Sequence, residues 1–260
     1  MEAETNNDIV KLERVSKTFR DFWLRPTIKA VDCLDMNVKR GDVFGLLGPN
    51  GSGKSTTIKM ILGLIGPDTG KVSLFGLPPG SAAARRRLGY LPELSYLHPF
   101  MTARETLQYY AGLCSLPVRT ARERISELLA MTGLENVADR QVGAYSKGMA
   151  RRVALAASLI GKPELLVLDE PTSGLDPVST DEVKTLVKTL AKGGMTILMT
   201  SHLLADAEDV CGNFMILNHG KSVAAGNVAE IKGSLQEYFL AAVAERREFA
   251  VAPFLEAKAS

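Results

Sequence analysis

Gly48-Pro49-Asn50-Gly51-Ser52-Gly53-Lys54-Ser55-Thr56 decides how this chain is read. Glycines at its first and sixth positions, followed by lysine and serine, satisfy the G-x-x-x-x-G-K-[ST] phosphate-loop pattern. The flanks supply the context. Before it, Val43-Phe44-Gly45-Leu46-Leu47 is too short for a helix and apolar enough for a buried strand. After it, Ile58, Ile61, Leu62 and Ile65 recur at helical spacing. A glycine-rich turn between strand and helix lets successive backbone N–H groups converge on one anion, and the helix N-terminus adds a favourable dipole. Lys54 then brings positive charge to the β- and γ-phosphates, and Ser55 brings a hydroxyl for Mg²⁺. The stretch predicts a nucleoside triphosphate site.

Bulk properties set the bounds. The 260 residues are enough for a substantial core, and 46% hydrophobic with 23% charged residues is an ordinary globular balance. Basic and acidic residues number 31 and 29, so no global field recruits nucleic acid, and no nucleic-acid partner is expected. The run Arg85-Arg86-Arg87 reads as a solvated helix face. Cys33, Cys114 and Cys211 are widely spaced without a CxxC pair, which argues against a metal knuckle or disulfide framework and fits a reducing compartment. Met1 to Asp8 is polar and acidic, unlike a signal peptide, and no apolar stretch approaches 18 residues. Any membrane part is therefore expected from another chain.

Short apolar runs alternate with amphipathic stretches, which predicts an α/β fold with a mostly parallel core sheet. Strands are expected near 9–13, 30–38, 43–47, 71–75, 165–169, 195–200, 213–217 and 221–225. The first two and 71–75 form an antiparallel layer beside the nucleotide. Pro78-Pro79-Gly80 is a turn. From about 94 to 160 the strand signals vanish. Thr102-Ala103-Arg104-Glu105 is a capping box, followed by Leu107, Tyr110, Ala111 and Cys114 at helical spacing. Thr120-Ala121-Arg122-Glu123 repeats the pattern before Ile125, Leu128, Leu129 and Thr132, and Pro117 separates the two helices. A helical subdomain is thus inserted at about 94–160 in a single domain spanning 1–232. Residues 233–260 read as a helix carrying Leu235, Phe239 and Leu240, then a loose tail.

The second half of the site begins at Leu165-Leu166-Val167-Leu168, which runs into Asp169-Glu170-Pro171. Ligands of open α/β sheets sit beyond the carboxyl ends of strands, where these acids fall. Asp169 suits the Mg²⁺, directly or through a water, and Glu170 can polarise a water aimed at the γ-phosphate. Without the phosphate loop the two acids would equally be a polar strand end. Ser146, before a helix with Val153, Ala156 and Ile160 as its apolar stripe, is on its own an ordinary N-cap. A capped helix N-terminus is also an anion site.

Taken together, the motifs resemble those of the ATPase subunits of ATP-binding-cassette transporters. These are the phosphate loop, a helical insert, Ser146-Lys147-Gly148, the Asp169-Glu170-Pro171 run, Ser173-Gly174-Leu175-Asp176 and Thr200-Ser201-His202, in that order across about residues 9–225. The resemblance implies a P-loop ATPase fold with a core lobe, an antiparallel β lobe and a helical lobe. It implies ATP and Mg²⁺, with Gly48 to Thr56 cradling the phosphates. It also implies a head-to-tail dimer, with an identical or paralogous subunit, that sandwiches two ATP molecules. Ser146 and Gly148 would touch the γ-phosphate bound by the partner, and Asp176, otherwise a helix N-cap before Pro177, would lie at the interface. His202 would hydrogen-bond the γ-phosphate and hold Glu170 and the water in line. Phe19 is the candidate to stack on adenine, with Trp23 as a rival.

Two departures from the family's common motifs stand out. Tyr145-Ser146-Lys147-Gly148-Met149 replaces Leu-Ser-Gly-Gly-Gln while keeping the serine and second glycine. Lys147 either adds charge beside the partner's nucleotide or faces solvent. Glu93, in Gly89-Tyr90-Leu91-Pro92-Glu93, stands where a glutamine senses Mg²⁺ and couples to the membrane subunit; a carboxylate still accepts from a metal-bound water but cannot donate as an amide does. Both features, and the stretch Pro99 to Glu105, resemble a bacterial export-type branch. The implied role is an ATP-hydrolysing subunit at the cytoplasmic face of the membrane that powers a separate permease, an exporter. The alternative is a soluble cassette ATPase serving a cytosolic assembly process.

Overall fold

The structure is a computed structural model that describes residues 7–20 and 26–243. β1 (Asp8–Arg20) and β2 (Pro26–Lys39) form a long antiparallel hairpin. Its inner half is driven by burial: Val10, Leu12 and Val15 on β1 pair with Val38, Met36 and Leu34 on β2, all buried, as is Ile9. The hairpin runs well beyond the expected 9–13 and 30–38. Past Val15 the apolar alternation stops and the strands continue on backbone pairing through Phe19↔Ile28, with register shifts on the way. A half-solvated ribbon of this kind leaves little trace in hydrophobic periodicity.

β3 (Val43–Leu47) leads through the phosphate loop into α1 (Lys54–Ile61). β4 (Thr69–Leu74) then joins the free side of β1, giving a three-stranded antiparallel sheet in the order β2-β1-β4. α2 (Ala82–Arg85), in the helical place read for the basic run, and β5 (Leu88–Leu91), not foreseen in the sequence, follow. A four-residue strand containing Gly89 is too short to show a period. In the basic run Arg85 and Arg86 are exposed as read, whereas the half-buried Arg87 holds its guanidinium 3.9 Å from the centre of the Phe75 ring and pairs with Glu164.

The helical region comprises α3 (Ala103–Leu113), α4 (Val118–Met131) and α5 (Lys147–Leu159). The first capping box is present, with Thr102 Oγ1 accepting from the Glu105 N–H and Glu105 Oε2 from the Thr102 N–H. The second is not. α4 starts at Val118 on Pro117 as its N-cap, which puts Thr120 inside the first turn. Proline is suited to a helix start because its missing N–H has no intrahelical partner there.

β6 (Leu165–Asp169), α6 (Pro177–Lys192), β7 (Thr196–Ser201), α7 (Leu204–Val210), β8 (Asn213–Asn218) and β9 (Lys221–Asn227) complete a six-stranded sheet in the order β5-β6-β7-β3-β8-β9. All its pairs are parallel except β8–β9. α8 (Leu235–Val243) packs buried Leu235 against the core, and Tyr238 meets Phe214 edge-on, while Leu240 is exposed. The strand register fixes where the site forms. Leu47 lies opposite Ser201 and Asp169 opposite Thr200, so the ends of β3, β6 and β7 deliver the phosphate loop, the two acids and His202 to one place.

Candidate nucleotide site

The phosphate loop is shaped by what it must avoid. Gly53 caps α1 at φ 110°, and a Cβ there would stand 2.5 Å from the Ala30 carbonyl oxygen, so glycine alone fits on both counts. No side chain caps α1, which leaves its N-terminal N–H groups available to an anion. Lys54 Nζ donates to the Gly48 carbonyl at 2.7 Å and the Pro49 carbonyl at 3.3 Å, and lies 3.7 Å from Glu170 Oε1. Burial lowers the Lys54 pKa, and the Glu170 and Asp169 carboxylates oppose that shift. The loop forms one wall of a cleft of about 530 Å³ that also receives Glu93, Glu170, Ser173 and His202. At its mouth Phe19 and Ile28, partners across the β1–β2 hairpin, present exposed apolar surface, and both line the cleft. That is the platform a flat base requires. Trp23 lies outside the described residues.

Behind the cleft the acids are held by side chains to which the sequence patterns give no role. Thr200 Oγ1 donates to Asp169 Oδ1 at 2.6 Å and accepts from the Glu170 N–H at 2.9 Å. Glu170 itself has φ 48°, a conformation costing a non-glycine residue on the order of 1–3 kcal/mol. In this turn its carboxylate reaches His202, with Oε2 2.7 Å from Nδ1. Burial above all, with the Asp169 carboxylate nearby, pushes the Tyr90 pKa up to about 12, so the phenol stays protonated. Arg151, 7% exposed, clamps the same turn from the other side: its guanidinium donates to the carbonyls of Asp169, Glu170 and Pro171, and also to those of Pro92 and Glu93 and to Ser95 Oγ. It ties the Glu93 loop to the Glu170 turn. No spacing rule points to Arg151, because its acceptors are backbone atoms.

Among the described residues no group of three or more His, Cys, Asp or Glu side chains is placed to hold a metal ion on its own. That donor set fits Mg²⁺, which takes few protein ligands and completes its shell with phosphates and water. Ser55 and Glu93, which line the cleft, and Asp169, buried behind it, are oxygen donors that would hold such an ion.

Ser146, Gly148 and Asp176 do not line this cleft. They form a second unit. Ser146 Oγ accepts from the Met149 N–H and caps α5. Gly148 packs so tightly on α6 that a Cβ there would overlap Ser179 Oγ. Ser179 in turn donates its hydroxyl and its N–H to the two oxygens of Asp176, holding that carboxyl below its usual pKa. Ser179, which no motif singles out, is what joins Gly148 to Asp176. Lys147 is exposed at the tip.

The ABC transporter family's pattern matches residues 31–173. An uncharacterized ABC transporter ATP-binding protein of Nostoc sp. is 41% identical over 234 residues, covering 88% of this chain and 70% of that protein. The Nod factor export ATP-binding protein I of Burkholderia thailandensis is 44% identical over 198 residues, covering 75% and 65%. The chain therefore spans about two thirds of the length of these relatives. A solved dimeric ATP-binding cassette in a post-hydrolysis state, bound to ADP and Pi, superposes with a TM-score of 0.75 at 27% identity, covering 86% of this chain and 99% of that one. With the phosphate loop, the paired acids and His202 brought together by three adjacent strand ends, the chain belongs to the ABC transporter family as an ATP-binding ATPase subunit.

Proposed function

We propose that two such subunits pair head to tail and hydrolyse ATP to drive a separate membrane permease in export, at the cytoplasmic face of the membrane. The observation that carries this reading is the divided site. One set of phosphate-directed groups lines the cleft, whereas Ser146, Gly148 and Asp176 lie outside it. They acquire a phosphate only from a second subunit, identical or paralogous.

In this reading Lys54 and the N–H groups of α1 hold the β- and γ-phosphates. Mg²⁺, held through Ser55, Asp169 and Glu93, supplies charge neutralisation. Glu170 polarises the attacking water, and His202, already against Glu170 Oε2, orients that carboxylate and contacts the γ-phosphate. The γ-phosphate is gripped from both subunits and closes the pair. Its cleavage removes the differential contact, and the pair opens. Ser146 would give its capping oxygen's neighbourhood, the α5 N-terminus, to the partner's nucleotide.

Support for a permease comes from a groove of about 840 Å³ between β5, α3 and α5. Tyr96, Leu113 and Tyr110 line it, and Leu94 and Phe100, close by in sequence, are exposed. The Arg151 clamp connects this loop region to the Glu170 turn, which gives motion a route. No helix among the described residues is long and apolar enough to cross a membrane. Export follows the Burkholderia relative, whose name is that of an exporter subunit. The test is to tag the chain, extract membranes in mild detergent and identify what co-purifies. A polytopic membrane protein at one permease per two copies is expected; a purely cytosolic complex would overturn the transport reading.

A further inference from the structure

We propose that Thr200 is a positioning residue for ATP hydrolysis, its buried hydroxyl locking the Asp169 carboxylate to the backbone of Glu170 so that the two acids keep one relative geometry. The inference rests on the roles proposed for Asp169 and Glu170.

A threonine hydroxyl has one proton to donate and lone pairs with which to accept. Here both capacities are used on the reacting turn: the proton goes to Asp169 Oδ1 at 2.6 Å, and a lone pair takes the Glu170 N–H at 2.9 Å. The residue is completely buried, so water cannot substitute. The short O–H···O⁻ distance marks a charge-assisted bond, the stronger kind. Packing alone would not select a hydroxyl at this place. Ile197, Leu198 and Met199 before it on β7 are buried and apolar, and valine has the same shape as threonine. The hydroxyl is explained by the bonds it makes.

Its position explains what those bonds do. Thr200 faces Asp169 in the parallel β6–β7 register, and His202 comes two residues later, the spacing that returns a chain to the same side. The end of β7 therefore holds Glu170 twice, at its N–H through Thr200 and at Oε2 through His202 Nδ1. Glu170 has a left-handed φ that its own backbone does not favour. With Arg151 bonded to the carbonyls of Asp169 and Glu170 from the other side, the Thr200 hydroxyl completes a grip on both faces of that turn.

Thr200→Val keeps the shape and strips both bonds, whereas Thr200→Ser keeps the hydroxyl. Steady-state ATPase assays of the full chain, alone or in its membrane-extracted complex, would be run against Mg²⁺ and ATP concentration, with Glu170→Gln as reference. For T200V, turnover falls roughly 10–100-fold and half-saturation in Mg²⁺ rises, as for other outer-shell partners of metal ligands. ATP affinity, measured by equilibrium binding without turnover, stays within about threefold, and T200S recovers most of the loss. If T200V does not fold, Thr200→Ala carries the same expectation. Turnover of T200V within twofold of wild type while E170Q is silent would overturn the role of Thr200 alone. So would a T200S defect equal to that of T200V, or a loss confined to ATP affinity. Near-normal turnover in E170Q would overturn the underlying reading of Glu170.

Discussion

The Glu170 turn and the Ser146–Asp176 unit are both assigned phosphate-directed roles in the proposed function, yet they are built on opposite principles. At the turn, Lys54, Glu170, His202, Thr200 and Asp169 are joined in one chain of contacts of 3.7 Å or less, all within a single subunit. At the other unit, the polar groups are bonded to their own helix ends. Ser146 caps α5, Asp176 caps α6, and Ser179 binds them together through its contact with Gly148. The first region is preorganised for a reaction. In the proposed function the second is a rigid edge offered to another subunit's nucleotide, so neither region would be a complete site and hydrolysis would depend on assembly.

The largest effect that can break this comparison is loss of the proposed base. Glu170→Gln keeps the size of the side chain and removes its charge. Turnover should fall on the order of 10²–10⁴-fold while ATP remains bound, with the closed pair accumulating on size-exclusion chromatography. Retained turnover would show that the preorganised turn is not where the water is activated.

Mixing two inactive chains sharpens the point. Lys54→Ala disables a subunit's own phosphate loop, and Ser146→Arg disables the edge it offers to its partner. Each homodimer has two defective sites. In a mixed head-to-tail dimer both lesions meet at one site and the other site is intact, so activity should reappear on mixing. At equal amounts about half the dimers are mixed, each with one intact site out of two. No recovery on mixing would mean that the partner is a paralogue or that the edge does not serve a second subunit.

How much of this was legible depended on whether the signal was local. The phosphate loop, Asp169-Glu170, Ser146 and the Asp176 cap announce themselves through motif or capping chemistry within a few residues, and the structure brings Glu93, Glu170 and His202 to the loop's cleft. Thr200, Arg151 and Ser179 were not legible. Thr200 and Arg151 reach Asp169 from 31 and 18 residues away, and Ser179, bonded locally to Asp176, meets Gly148 across 31; two of the three act on backbone or on a missing Cβ, which no residue pattern encodes. In the fold, runs such as Leu165–Leu168 were plain because both sheet faces are buried, whereas β5 and the outer hairpin were not. The false capping box at Thr120 shows a local rule losing to a stronger one just upstream, the helix start at Pro117.

Arg151 tests whether the two regions are mechanically joined, because it sits on α5 four residues past the α5 N1 position and bonds the Glu170 turn. Arg151→Met leaves buried carbonyls on both loops without donors, a loss on the order of 3 kcal/mol. For a chain of this size that is roughly 6–12 °C in melting temperature by calorimetry. Arg151→Lys restores the charge but not the planar fork that spans two loops, so it should recover less than half of the loss. Full recovery by lysine would reduce the clamp to a point charge.

The smallest effect lies away from both regions. Glu164, just before β6, accepts from Arg87 at 2.9 Å and Arg40 at 2.8 Å, and the Arg87 bond above all holds its pKa down at about 2 against 4.5 for a free glutamate. A depressed carboxylate stabilises the fold above its unfolded pKa, and that stability is lost as pH falls from about 4.5 towards 2. The cluster is about one-third exposed, so screening keeps each pair near 0.2–1 kcal/mol, roughly 1–4 °C. Glu164→Gln should therefore melt slightly below wild type at pH 7, with the gap closing as the buffer is taken from pH 5 to pH 3. Turnover per folded molecule at pH 7 should not change. A fall in turnover without a shift in melting would instead tie this end of β6 to the Asp169 end, and the contrast between a preorganised turn and the rest of the sheet would no longer hold.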